Sequence, residues 1–198
     1  IMVKMSFWQW SLRKSRFKSS AKKSAFMEKH SMTTNNITVR PATILNANDL
    51  SQLAFSLSDF YLASPNTQLP QWLADSFNEE QFLSRLKDDD YTHFVAEIDN
   101  TIVGFIAIKS PNHLYHLFVN KNHHGKGIGK QLWEYAFEQL NLDTQAYIIV
   151  RASLYAVPIY EKFGFVATGT IMQKDGVNFL AMKKQNLQNN PMRPHKKP

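Results

Sequence analysis

The sequence predicts an α+β domain, and three observations predict it. Segments with helical spacing of apolar residues alternate with short β-rich runs. Runs in the middle and at the end of the chain are joined by Asp/Asn or Asp-Gly turns of the hairpin kind. One wholly apolar run, residues 146–150, has the character of a strand buried on both faces of a sheet. There is no internal repeat and no inner linker, so residues 37–184 read as one domain between a leader, residues 1–36, and a polar, Pro-rich tail, residues 185–198.

The elements follow in order. Residues 37–41 alternate as a short strand that stops at Pro41. Residues 48–62 place Leu50, Leu53, Ala54, Leu57, Phe60 and Tyr61 at helical spacing behind an Asn/Asp start. After a turn-rich stretch, residues 71–86 read as a second helix, ended by three aspartates. Strands at 92–97 and 101–109 flank Asp99-Asn100, and a third covers 114–119. A glycine-rich turn then opens a helix to about Asn141, and the apolar run 146–150 follows. A further helix ends at Phe163 and Gly164, a natural left-handed cap. Residues 165–173 and 177–183 close the domain as a hairpin around Asp175-Gly176.

Of the 198 residues 43% are apolar, enough for a core and too many for a chain disordered throughout. The absence of cysteine excludes disulfides, zinc–thiolate sites and thiol nucleophiles, and fits a reducing, cytoplasmic setting. No apolar run approaches the roughly 20 residues that span a bilayer. The net charge of +7 belongs to the extensions: residues 1–36 carry +7, residues 37–184 carry −3 and the tail +3. Nucleic-acid binding would therefore rest on the leader alone. The leader also reads as a transit peptide, as a basic disordered arm, or as a non-native extension upstream of a start at Met32.

Residues 125–130, Gly-Lys-Gly-Ile-Gly-Lys, lie between a strand and a helix. Alternate glycines let the main chain approach a ligand, and a helix start offers unpaired N–H groups and a positive dipole end. Lys126 and Lys130 add cationic reach, so the turn suits an anion, above all a pyrophosphate. The spacing fits neither the P-loop nor the dinucleotide fingerprint, since Gln131 follows Lys130 and the third glycine comes one residue early.

Together with Leu117-Phe118-Val119 before it and Tyr160-Glu-Lys-Phe-Gly-Phe165 after it, this turn resembles the GCN5-related N-acetyltransferase (GNAT) superfamily. The resemblance covers about residues 37–183. It implies a three-layer α/β/α sandwich around a mixed, mostly antiparallel, splayed central sheet. It implies acetyl-CoA as co-substrate and no metal, with the pyrophosphate on the amides of His124, Gly125, Lys126, Gly127, Ile128 and Gly129 beside Lys130. The pantetheine arm would pair with the main chain of Leu117, Phe118 and Val119, and Ser153, Tyr155 and Tyr160 would contribute from the second segment. The implied activity is direct transfer of an acetyl group to a primary amine in a ternary complex, the alternative being a catalytically silent acyl-CoA-binding module.

In that family Tyr160 matches the tyrosine that protonates or orients the departing sulfur, and a backbone N–H near Val119 would meet the oxyanion. A base near neutrality is wanted for the amine, and His113 and His116 are the candidates, with a water relay as the other option. Strand alternation would aim them at opposite faces, and His113 stands where some members carry a Glu or His. His124 replaces the family's Arg/Gln, and Arg151 stands where Asn is common. Two adjacent imidazoles, His123 and His124, in a polar turn read as solvent-exposed rather than as a metal site.

The acceptor is expected over the first two helices and the last hairpin, where Asp59, Trp72, Asp75, residues 88–90 and Asp175 fall. Those acids suit a cationic small-molecule or protein amine, and solvated helix faces and turns explain them equally. No membrane partner is implied, nucleic acid is disfavoured, and a homodimer is left open.

Overall fold

Asp99 and Asn100 both adopt positive φ, 50° and 62°, and turn the chain tightly between two long strands. These are β2 (Tyr91–Ile98) and β3 (Thr101–Lys109), paired along their length in a computed structural model that describes residues 37–64 and 67–186. The leader and the end of the tail lie outside the described residues. β1 (Thr38–Pro41) lines the free edge of β2, and β4 (His113–Val119) runs antiparallel to β3. The other half of the sheet is built on β5 (Tyr147–Ser153) and β8 (Val177–Gln185), an antiparallel pair. β6 (Val166–Ala167) and β7 (Met172–Lys174) pair with successive stretches of β8. The order is β1-β2-β3-β4-β5-β8-β6, with β7 also on β8. β4 and β5 form the one parallel pair among these strands, so the sheet is mixed and mostly antiparallel.

Helices cover both faces. α1 (Ala47–Ser56), α2 (Gln71–Phe77) and α3 (Glu79–Lys87) enclose a core of Leu50, Phe77, Phe82, Phe105 and Phe118. α4 (Ile128–Gln139) and α5 (Val157–Lys162) enclose the other core, around Ile106, Leu132, Ile148 and Met182. Gly104 leaves room on β3 for the side chains of α4: a Cβ there would sit 3.0 Å from the Phe118 carbonyl oxygen and 3.2 Å from Leu132. Among the described residues no helix is long and apolar enough to cross a membrane.

Four elements differ from expectation, one of them the strand over residues 165–173, which breaks around Gly169 into β6 and β7. The first helix stops at Ser56, whose Oγ turns back to Leu53 O at 2.7 Å, and residues 58–61 continue as a 3₁₀ turn. The segment 71–86 is two helices, because Asn78 takes extended geometry and its side chain caps the amide of Gln81 at 2.8 Å. The apolar run is not buried on both faces. β5 alternates: Ile148, Val150 and Ala152 enter the core, while Tyr147 and Ile149 are each 38% exposed. The helices α1–α3 pack over β2–β4 and leave that face of β5 open.

Candidate active site

β4 and β5 are paired only at His113 with Ile149 and Leu114 with Val150. Beyond Leu114 they part, leaving the β5-facing edge of β4 unpaired from Tyr115 to Val119. Such an edge is a row of free main-chain donors and acceptors awaiting an extended partner. The wedge opens into a cleft of about 390 Å³ whose walls include Tyr61, Leu117, Phe118, Ser153 and Tyr160.

At its wide end lies the glycine turn. Gly125 and Gly127 have φ of 77° and 79°, and a Cβ on either would meet nothing within 4 Å, so the main chain is bare on its ligand side. Gly127 caps α4, and the amides of residues 125–130 make no backbone hydrogen bond. Lys130 lies 3.6 Å from Glu134 one helical turn on, both well exposed. These unpaired amides at a helix start, with Lys126 beside them, form a cradle that fits a diphosphate.

A second irregularity organises the narrow end. Ala107 pairs with His116 and Ile108 with Leu114, so Tyr115 is an extra residue on β4. The bulge cancels the expected alternation. Tyr91, Lys109 and His113 lie in one register row and His93, Ala107 and His116 in the next but one, with Thr92, Ile108 and Leu114 between them. His113, Tyr115 and His116 therefore share a face, with the Tyr115 ring 5.6 Å from His113 and 4.5 Å from His116. Of the two imidazoles, His116 reaches the cleft wall, and His113 stands behind Tyr115 outside it.

His116 is 7% exposed and ringed by Phe77, Phe82, Phe105 and Phe118. Burial, with Arg85 beside it, holds its pKa well below the ordinary 6.5, and its Nδ1 has no hydrogen-bond partner. Burial lowers His113 as well, aided by Arg151 and Lys109. Burial raises the Tyr160 hydroxyl above its usual range, so it keeps its proton at neutral pH. Tyr61 is raised too, by burial and then by Tyr160 and Tyr115. Three phenols thus approach one another in the cleft.

His124 behaves differently from a phosphate-gripping cation. Its Nε2 lies 2.7 Å from Val119 O and its Nδ1 3.2 Å from the Tyr155 hydroxyl. Because a carbonyl oxygen only accepts, Nε2 is the donor to Val119 O. Tyr155 in turn stacks on Phe60 at 4.1 Å, so an aromatic clasp joins the end of β4 to the segment after β5.

No metal-binding group of His and carboxylates occurs among the described residues. The acids expected to meet the acceptor do not line the main cleft. Asp175 accepts from Trp72 Nε1, Asp75 from Gln71, and Asp88 from the amide of Asp90, as structural turn and helix contacts. Asp59 edges a second pocket that adjoins the cleft and shares Phe60, Tyr61 and Tyr155 with it. Tyr61 and Tyr115 were not anticipated as cleft residues, and Arg151, noted as standing where Asn is common, lines the cleft with them. A lone Arg in an apolar strand was a usable signal for Arg151, whereas nothing local marks the bulge at Tyr115.

Residues 61–186 match the acetyltransferase (GNAT) domain model, and the chain belongs to that family. It is similar to a GCN5-related N-acetyltransferase from Rhodopseudomonas palustris, with TM-score 0.65 and 22% identity over 79% of this chain and 99% of that one. It is similar also to the PaiA N-acetyltransferase from Thermoplasma acidophilum, solved with coenzyme A, with TM-score 0.62 and 21% identity over 75% and 98%. Among curated proteins it is 26% identical over 102 residues to spermidine N(1)-acetyltransferase of Escherichia coli K12, covering 47% of this chain. The chain spans about half, 55%, of that relative.

Proposed function

We propose that the protein is an N-acetyltransferase that uses acetyl-CoA and a primary amine. The observation that carries this reading is the unpaired edge of β4 running into a turn of unpaired amides, a surface shaped for an extended arm ending in a diphosphate. The amides of residues 125–130, with Lys126 and Lys130, would hold the diphosphate, and the main chain of residues 117–119 the pantetheine arm. Acetyl-CoA supplies the activated acetyl thioester.

The rest falls to this chain's own groups. Tyr160 holds a proton in the cleft wall where a departing sulfur needs one. Water in the cleft takes the proton of the incoming amine, with His116, neutral because it is buried, as the imidazole in the wall beside it. A free amide along the parted edge of β4, near Val119, offers a preorganised donor for developing negative charge. The aromatic walls exclude bulk water and strengthen each of these interactions.

Calorimetry with acetyl-CoA and a thiol-release assay over a panel of amines test the reading together. Micromolar binding and amine-dependent thiol release are expected. Tyr160→Phe should lower turnover roughly a hundredfold while leaving acetyl-CoA affinity within a few fold. Binding without any turnover in the wild-type protein would instead indicate a silent acyl-CoA-binding module, and absence of binding would refute both.

A further inference from the structure

The narrow end of the cleft is positively charged and unneutralised. No aspartate or glutamate lines the cleft. Arg151 is the first β5 residue beyond the last β4–β5 pair, opposite the Tyr115 bulge, and both line the cleft at its apex. It lies on the face of β5 that turns away from the α4 core, since Val150 and Ala152 on either side of it enter that core. Its cross-strand neighbour on β8 is Ala181, and the next residue along that face is Lys183. Among the described residues Arg151 has neither an ion pair nor a hydrogen bond.

Behind it stands one more cation, Arg85, whose Nη2 donates to Ser76 O at 2.6 Å, and a neutral imidazole, His116. Arg85 approaches the Tyr115 ring to 5.8 Å, and its Nε is buried without a partner. The buried Nδ1 of His116, in the cleft wall, also lacks one. The charged neighbours that act on His113 and His116 are Arg151, Lys109 and Arg85, with no carboxylate among them. Arg151 itself is exposed to solvent, so its unpaired guanidinium is free to take an anion that enters the cleft. The donor's diphosphate does not reach it. From Tyr115 to Val119 is four strand steps, about 13 Å, and the glycine turn lies further on.

We infer that the acceptor is an amine that also carries a carboxylate, an α-amino acid with an apolar side chain, and that Arg151 binds the carboxylate. This rests on the acetyltransferase reading above and narrows its substrate class. A guanidinium grips a carboxylate through two parallel hydrogen bonds, and Tyr61, Tyr115 and Phe118 give the side chain an aromatic wall. The surrounding positive charge favours loss of a proton from the substrate ammonium and repels a polycation. In the transfer itself the N–C bond forms as the C–S bond breaks. The ammonium first releases one proton to water, and the nitrogen gives up its second as the amide forms. The sulfur takes one from Tyr160, Tyr160 regains one from water, and the carboxylate is unchanged, so that one proton is released overall.

The matched probes are L-phenylalanine and 2-phenylethylamine, assayed by thiol release with saturating acetyl-CoA, with spermidine as a cationic control. The wild-type enzyme should prefer phenylalanine over phenylethylamine in kcat/KM by roughly ten- to a hundredfold, the worth of one charge-assisted pair. Arg151→Gln should bring that ratio close to one, chiefly through KM for phenylalanine, and Arg151→Lys should restore part of it. A mere folding defect lowers both rates together and keeps the ratio, so an unchanged ratio in Arg151→Gln overturns the assignment. So does a wild-type enzyme that prefers phenylethylamine or spermidine, or one that binds acetyl-CoA and acetylates neither matched probe. In those cases the donor-site reading stands. Failure to bind acetyl-CoA, read by calorimetry, removes the donor site as well.

Discussion

His93 shows how a single buried base couples this fold to pH. It is 4% exposed, both ring nitrogens lack partners, and burial beside Arg85 pushes its pKa down to about 4. In the unfolded chain it titrates near 6.5. Between pH 6.5 and 4 the unfolded state therefore takes up a proton that the folded state refuses, and stability falls as pH drops through that window. Above pH 6.5 the residue makes no pH-dependent contribution. The loss at pH 4 is on the order of 3 kcal/mol from this residue, and His116 adds in the same direction. Urea midpoints measured from pH 7.5 to 4 should fall steeply in the wild-type protein and distinctly less in His93→Phe. Parallel curves would show that His93 is not the group responsible. A histidine cluster was visible in the sequence, but its sense was not. Alternation sends His113 and His116 apart, and one extra residue in β4 brings them together.

At the scale of elements, the strand–turn–helix unit around residues 117–139 joins local sequence to binding. Gly127 closes the turn at φ 79° and caps α4, so a branched side chain there strains the main chain by about 1–2 kcal/mol. Gly129 is already helical, and a Cβ on it would lie 3.8 Å from Val119, an ordinary contact. Gly127→Val should therefore lower the melting temperature by several degrees and weaken acetyl-CoA binding at least tenfold. Gly129→Ala should keep the wild-type melting temperature. Equal behaviour of the two variants in thermal melts would contradict the turn geometry. Helix ends were less legible. Asn78 interrupts an unbroken apolar periodicity by capping the amide of Gln81, a choice between two adequate partners that spacing does not resolve.

Over the whole molecule, two half-sheets meet at β4 and β5 through two residue pairs, and the core beneath α4 and α5 holds them together. The opening is where the donor site is proposed. A ligand that adds a strand in it ties the halves together, and binding to the folded state alone raises stability by about 2.7 kcal/mol at a hundredfold excess over Kd. Acetyl-CoA should produce a saturable rise in melting temperature, and hydrogen exchange should slow across residues 115–130 more than in β1 or β2. The clasp of His124, Tyr155 and Phe60 must rearrange for this, because His124 occupies the carbonyl of Val119 in the free protein. A rise in melting temperature without protection of residues 115–130 would place the ligand elsewhere.

The order of helices and strands, the hairpin turns at Asp99-Asn100 and Asp175-Gly176, and the glycine turn at residues 125–130 were set by the chain itself. Each depends on neighbours a few residues away: periodicity, capping and the freedom of glycine at positive φ. The parting of β4 from β5, the Tyr115 bulge, the open face of β5 and the unneutralised Arg151 were decided only by the assembled sheet. These depend on which strands lie side by side and where a distant helix leaves a face bare, and no local pattern encodes that.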